Sequence, residues 1–287
     1  MACVPLHPNA TPQGGTGASS CDQIGRVCGV PGSGARAALA QWRQRGFCQA
    51  PAAASRAAGS APTAYVPNGG APGKGAVVPI STATNTAGQP IPVGRTPFGI
   101  AITPDGKTAD VVNGNDGARG SVTPISTATN TVGPPIKVGQ SPDAIAVTPD
   151  GKTAYVINSF ANTLTPLSTT TNTPGKAMKL PAPFFGITIA VTADSKTAYV
   201  LGSSKIGGPG KVIPISTATN TAGKAITTTG NEALAIAFTP GKQTAYIVSL
   251  GTSAGAPSGV TPINTLTNTA GNAIRVSPHR TDIAITP

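Results

Sequence analysis

A phrase that returns five times, a low charge and an excess of turn residues predict an all-β chain. The phrase Ile80-Ser81-Thr82-Ala83-Thr84-Asn85-Thr86 recurs at 125–131, 167–173, 215–221 and 263–269, in steps of 45, 42, 48 and 48 residues. A second phrase, Thr-Pro-Asp-Gly-Lys-Thr-Ala at 103–109 and 148–154, returns in altered form at 192–198 and 239–245. A period of this length marks a propeller or solenoid made from one supersecondary unit. The 287 residues hold 36 Gly and 29 Pro but only 10% charged side chains, with a mean hydropathy of +0.05. Disorder needs low hydrophobicity with high net charge, so wholesale disorder is excluded. Gly and Pro in a chain rich in Thr and Val mark short strands and tight turns.

The second copy shows what one unit must be. Ala144–Thr148 alternates small and branched residues and reads as strand A. Pro149-Asp150-Gly151-Lys152 is a turn, because Pro presets φ, Asp bonds back to the backbone and Gly accepts positive φ. Thr153–Ile157 is strand B, and Asn158–Asn162 is a loop. Leu164–Thr169 is strand C, interrupted by Pro166. Thr171-Asn172-Thr173 with Gly175 turns the chain into a short strand D, Ala177–Leu180. Four antiparallel strands and no helix in about 45 residues is the blade of a β-propeller. Proline inside every C strand cannot donate to a ladder, so a bulge or an unpaired position is expected there.

The chain enters the repeat at strand B (Thr63–Val66) and leaves it at strand A (Asp282–Thr286). The expectation is therefore five blades. The C-terminal strand A closes the ring onto the N-terminal strands B, C and D, which removes exposed sheet edges. A fragment of a seven-bladed protein and an open arc are the competing readings.

These phrases resemble the YVTN-type β-propeller repeat family. Thr-Ala-Tyr-Val-Ile-Asn at 153–158 and Thr-Ala-Tyr-Val-Pro-Asn at 63–68 stand where that family has Tyr-Val-Thr-Asn. Ile-Ser-Thr-Ala-Thr-Asn, Ile-Lys-Val-Gly and Ile-Ala-Val-Thr-Pro-Asp-Gly-Lys match as well. The resemblance covers 63–287 and none of 1–62. It implies an extracytoplasmic or cell-surface binding protein, with a wider kinship to lactonase-type propellers. The chain departs from the pattern at Asp110, which replaces the tyrosine, and at 199–202 and 246–249, which lack the final asparagine. The family's propellers usually have seven blades.

Residues 1–62 differ in texture. They hold all four cysteines (Cys3, Cys21, Cys28, Cys48), the single Trp42, five arginines and one acid. The cysteines lack the paired close spacing of a structural zinc site. Two disulfides in an oxidising compartment remain open, with three connectivities. The segment reads as a disordered Ala/Gly/Arg-rich extension, with Ala35–Arg45 as its one short helix candidate. No apolar run is long enough for a transmembrane helix. No basic stretch followed by an apolar core opens the chain as a signal peptide would.

The recurring acids and lysines of the A–B turn (Asp105, Asp150, Asp194; Lys107, Lys152, Lys196, Lys242) read as turn-shaping and solvating residues. The column Asn85, Asn130, Asn172, Asn220, Asn268 reads as a C–D turn device. Binding belongs where the repeats disagree, on the D–A connections and B–C loops of the opposite face. The D–A set offers Arg95, Phe98, Asp143, Phe184, Phe185, Glu232, His279, Arg280 and Asp282. The B–C loops add Asp116, Arg119, Lys205 and Lys211.

The resulting expectation is a non-catalytic, monomeric binding propeller that takes a protein or surface polymer on that face, with no catalytic residue, metal or cofactor assigned. A lactonase-like metal-dependent hydrolase would need acids such as Asp110, Asp116, Asp143, Glu232 and Asp282, with His279, to converge near the axis. No nucleophile-elbow or phosphate-loop motif supports hydrolysis or nucleotide chemistry. The net charge of +11 admits single-stranded nucleic acid. The lysines are spread over hairpin tips, however, and aromatic platforms are few.

Overall fold

The computed structural model describes residues 62–69, 75–181, 184–241, 243–251, 258–276 and 282–286. The four cysteines, the Ala35–Arg45 helix candidate, Lys242, His279 and Arg280 lie outside the described residues. Among the described residues the fold is all-β, with antiparallel pairing throughout. None of their helices is long and apolar enough to cross a membrane.

Four antiparallel sheets follow one another along the chain; the last, of nine strands, consists of two four-strand-like units joined through β18, called the fourth and fifth sheets below. The first holds β1 (Thr63–Asn68), β2 (Gly75–Ser81), β3 (Thr86–Ala87) and β4 (Ile91–Val93). The second holds β5 (Pro97–Ile102), β6 (Thr108–Asn113), β7 (Arg119–Ser126) and β8 (Ile136–Gln140), paired in chain order. The third holds β9 (Pro142–Val147), β10 (Thr153–Asn158), β11 (Thr163–Ser168), β12 (Thr173–Pro174) and β13 (Met178–Lys179). The fourth holds β14 (Phe185–Val191), β15 (Thr197–Ser203), β16 (Pro209–Ser216) and β17 (Thr221–Ala222). Its outer strand is the start of β18 (Ile226–Phe238), whose later residues become the inner strand of the fifth sheet. That sheet is completed by β19 (Thr244–Leu250), β20 (Gly259–Asn264), β21 (Thr269–Ala270) and β22 (Ile274–Arg275).

The A–B turns act as their sequence predicts. Gly106 and Gly151 both take φ 72°, which only glycine adopts without strain. The Thr103, Thr148 and Thr192 hydroxyls donate to Asp105, Asp150 and Asp194, each at 2.6 Å. The same carboxylates accept the backbone N–H of Lys107, Lys152 and Lys196. The threonine hydroxyl bonds hold Asp105 and Asp194 below the ordinary carboxylate range, with help from these N–H groups.

Proline in the C strand is accommodated on one side. Tyr155 faces Pro166 and Tyr199 faces Pro214 in unbroken B–C register. The Pro166 carbonyl instead points to the D side and accepts Gly175 N–H at 2.7 Å. The missing proline N–H points the same way, into the break that splits strand D into β12 and β13. Glycine gives room at the break, where a Cβ at Gly175 would sit a tight 3.1 Å from the proline ring.

Neighbouring sheets bury one another's faces in four apolar cores. Tyr155, Ile157 and Leu164 of the third sheet meet Ile189, Ala198, Val200, Ile213 and Ile215 of the fourth. Alternation along β10 sends Tyr155 and Ile157 forward while Ala154 and Val156 face back to the second sheet. Each fully buried Ile or Leu contributes about 1.5–3 kcal/mol, so the stacking of sheets dominates the fold's stability.

A recurrent hydrogen bond locks the stack. Tyr65 Oη donates to Asn130 Oδ1 of the next sheet at 2.9 Å. Tyr155 does the same to Asn220 at 2.7 Å, and Tyr199 to Asn268 at 2.6 Å. The Asn column is thus a turn device, with all five residues at φ between 52° and 56°. Three of its members are also inter-sheet acceptors.

The two ends differ from the middle. The strand expected over Asp282–Thr286 is not formed: residues 282–286 are irregular, and Ile283 N–H is taken by Asp282 Oδ1 at 2.8 Å. Among the described residues β1 pairs with β2 alone, and no closing strand lies beside it. Val66, whose counterpart Val156 is fully buried, is 45% exposed.

Candidate binding face

The D–A connections and B–C loops interlock at the face opposite the Asp-Gly-Lys turns. At the second sheet, Gly114 N–H donates to Thr96 O at 2.9 Å, and Asn115 N–H to Arg95 O at 3.1 Å. At the third, Ser159 N–H donates to Ser141 O at 3.0 Å. Between the fourth and fifth, Glu232 N–H donates to Gly208 O at 3.0 Å, and Gly207 N–H to Glu232 Oε1 at 2.7 Å. The corner residues Thr96, Ser141 and Glu232 have φ of 46°, 48° and 35°. Left-handed backbone at a non-glycine residue is strained, and such strain concentrates at functional corners.

The expected site residues separate into distinct environments. Arg95 Nη2 pairs with Asp116 Oδ2 at 2.7 Å, both exposed. Phe98 is half-buried and lies over Gly114, where an added Cβ would sit 2.7 Å from its ring. Asp143 is half-buried at the start of β9. Phe184 does not stand on the rim. It is buried in the core between the third and fourth sheets, against Gly186 and Gly202. Its neighbour Phe185 points the other way and is 44% exposed. Glu232 is half-buried and bonded to Gly207, and Asp282 is exposed. Lys205 is exposed, Lys211 is half-buried in β16, and Arg119 opens β7. A recess of about 390 Å³ brings Arg119 and Lys137 together, beside Asn115 and Ser121.

Two residues of this face were missed from sequence. Phe160 in the third B–C loop is 75% exposed, and Ile206 in the fourth is 62% exposed. Hydrogen bonds tie the backbone next to each of them to the strands that carry Phe185. Ser159 Oγ, beside Phe160, donates to the Gly186 carbonyl, beside Phe185, at 3.0 Å. Phe185 faces Ser203 across the β14–β15 pair, and Ser203 Oγ donates to Lys205 O at 2.7 Å, one residue before Ile206. The only sequence signal was a phenylalanine and an isoleucine in loops otherwise made of small polar residues.

Chemically the face offers apolar contact, cations and few available acids. Asp116 and Glu232 already have partners. Among the described residues no three His, Cys, Asp or Glu side chains converge as a metal site. Among the described residues, the carboxyl with a large pKa displacement, Asp110, lies in strand β6 and not on this face.

No family model and no curated protein matches the chain. Among solved structures it is similar to the Kuenenia stuttgartiensis hydrazine synthase, with TM-score 0.63 and 20% identity over 70% of this chain and 60% of that one. It is also similar to a functionally unknown protein from Desulfotomaculum acetoxidans DSM 771, with TM-score 0.52 and 20% identity over 71% of this chain and 69% of that one. The chain therefore spans less than two thirds of the hydrazine synthase chain it matches. These likenesses support a propeller-like all-β fold and carry no activity across.

Proposed function

We propose that this chain is a non-catalytic binding scaffold of the YVTN type. It takes a protein or a surface polymer on the loop face, in an extracytoplasmic or cell-surface setting. The observation that carries the reading is that Phe160, Phe185 and Ile206 are exposed at 75%, 44% and 62% on one end of the sheets, beside backbone held by hydrogen bonds. Large apolar side chains held in water on a rigid frame mark an interaction site. Exposed Lys205 at the edge of the group favours a partner with acidic groups.

The test is binding to arrayed peptides and surface polysaccharides. Wild type, the triple variant Phe160→Ser, Phe185→Ser, Ile206→Ser, and a control variant Lys107→Ser, Lys152→Ser on the opposite face are compared. Signal that the triple variant loses and the control keeps supports the reading. Equal signal from the triple variant, or none from wild type, sinks it. Lactone hydrolysis by wild type that Glu232→Gln abolishes would replace it with the hydrolase reading.

A further inference from the structure

Charge is sorted between the two halves of each sheet. Neighbouring A strands β5, β9 and β14 lie against one another, which leaves strands C and D as the outer half. Strands C and D with their turn hold no Asp or Glu in any of the five copies, at 75–93, 119–140, 163–180, 209–229 and 259–276. The described acids lie in the A–B turns, in strand B at Asp110, and at the D–A and B–C corners. The lysines of the A–B turns sit beside those acids. Lys107 Nζ is 3.8 Å from Asp105 Oδ2, and Asp150 and Asp194 accept the backbone N–H of Lys152 and Lys196. In the outer half, Arg119, Lys137, Lys176, Lys179, Lys211 and Lys224 form no ion pair among the described residues. All are exposed except the half-buried Lys211.

These cations keep one place from sheet to sheet. Across the C–D ladder Ser121 faces Lys137, Thr163 faces Lys179, and Lys211 faces Thr227. Opposite residues of a ladder share a face, so each of the three sheets sets one ammonium beside one hydroxyl at the same position. Alternation along strand C puts the pair on the face turned to the preceding sheet, with Ile125 in the second sheet and Ile213 and Ile215 in the fourth. Asn113 Nδ2 donates to Ser121 Oγ at 3.3 Å, and Asn158 Nδ2 to Thr163 Oγ1 at 3.1 Å. Each hydroxyl thus has its oxygen engaged and its O–H left to donate. In the second sheet Arg119 joins the pair, and the recess of about 390 Å³ opens between Arg119, Ser121 and Lys137. Lys176 and Lys224 also correspond, each following the glycine that bonds to the C-strand proline carbonyl.

We propose that the outer halves of the second, third and fourth sheets form a basic belt that binds a linear anionic polysaccharide. Its sulfate or carboxylate groups are taken by the lysine–hydroxyl pairs of successive sheets. A surface of one sign with no acid in it attracts a polyanion. The same pair repeated on each sheet matches a charge repeated along a polymer. Strands C and D carry no Phe, Trp or Tyr in any copy. The belt therefore lacks the stacking platforms that single-stranded nucleic acid needs and the aromatic anchors of a protein hot spot. It lies on the outer strands, apart from Phe160, Phe185 and Ile206, and stands or falls independently of the function proposed for them.

The full chain, kept reduced, is tested at low salt for binding to heparin, polygalacturonate and neutral dextran, with single-stranded DNA and poly-glutamate alongside. The belt variant Lys137→Gln, Lys179→Gln, Lys211→Gln is compared with Lys107→Gln, Lys152→Gln, Lys196→Gln, which has the same net charge. Wild type is expected to bind both acidic polysaccharides, more weakly as salt rises, and to leave dextran unbound. Each exposed ion pair is modest, so the belt variant weakens binding about tenfold and the turn variant less than about twofold. Bound heparin is also expected to shield Lys137 and Lys179 of wild type from an amine-reactive label while Lys107 and Lys152 stay labelled. That measurement decides the matter if the belt variant fails to fold. No binding by wild type, equal binding of dextran, equal losses in the two variants or equal shielding of the turn lysines overturns the proposal. So does loss of polysaccharide binding in the Phe160→Ser, Phe185→Ser, Ile206→Ser variant with the belt intact, which would place the polymer on the loop face. Tighter binding of DNA or poly-glutamate that the belt variant loses overturns the polysaccharide as partner and gives the belt to that polymer.

Discussion

The seam between the second and third sheets and the seam between the third and fourth are built from corresponding strands. Their most telling difference lies at the tyrosine position of strand B. Where the third sheet sends Tyr155 forward to Asn220, the second sends Asp110. A carboxylate is too short to reach the next turn, so Asn172 receives no tyrosine donor. Asp110 is 1% exposed, and its Oδ1 has no hydrogen-bond partner. It sits against an apolar seam of Val112, Val122, Val156 and Leu167. Burial pushes its pKa up to about 6, whereas burial, with a smaller effect of Asp150, pushes Tyr155 up to about 12. In stacked repeats stability is close to a sum of unit and neighbour terms. One seam can therefore be weak while the rest hold the fold, and four apolar cores make that tolerable.

Breaking the strong seam should have the largest effect. Tyr155→Ala removes a fully buried ring and its bond, and is expected to lower unfolding free energy by about 3–5 kcal/mol in urea titration. A loss of less than about 1 kcal/mol would show that the tyrosine does not carry the seam.

The weak seam should be sensitive to pH. The Asp110 carboxyl binds its proton more tightly folded than unfolded. Its contribution is fully present below about pH 4 and is lost as pH rises through about 6, roughly 3 kcal/mol in all. Thermal unfolding between pH 4 and pH 7.5 should show this decline in wild type and a flatter profile in Asp110→Asn. Parallel profiles would mean that the carboxyl is solvated.

Converting the weak seam into a strong one is the next step down. Asp110→Tyr restores the ring, removes the buried acid and offers a donor to Asn172, with an expected gain of about 1–3 kcal/mol at neutral pH. Destabilisation would mean that the second and third sheets have closed too tightly to admit a ring.

The smallest contrast lies in the acceptors. Asn220→Gly keeps the left-handed turn but removes the Tyr155 acceptor, costing about 1 kcal/mol. Asn172→Gly should stay within about 0.5 kcal/mol of wild type. Equal effects would show that turn geometry alone sets the value of the column.

Much of the fold was legible because each device is local. Pro149-Asp150-Gly151-Lys152 forms its turn from its own side chains, and β10 and β11 flank the predicted loop within a residue or two. The loop face was legible only as a location. Phe184 and Phe185 are adjacent, and composition cannot say which enters the core. A register shift between Gly186 and Thr188 accompanies the arrangement that buries the first and exposes the second. Phe160 escaped notice because an aromatic residue in a short loop usually folds back onto the nearest core. The Tyr–Asn lock was present in sequence as two columns, but their link spans 65 to 69 residues and joins different repeats.

By itself, the sequence determined the repeating unit: four short antiparallel strands, the turns between them, and the side each strand residue takes. Those follow from backbone preferences of Gly, Pro, Asn and Asp and from the two-residue period of a strand, which act over a few residues. Tertiary structure alone decided which faces meet, which loop side chains stay in water and how the ends are left. Those outcomes depend on stacking between sheets distant in sequence. They also depend on competing local bonds, such as that of Ile283 N–H to Asp282, where residues 282–286 take no strand.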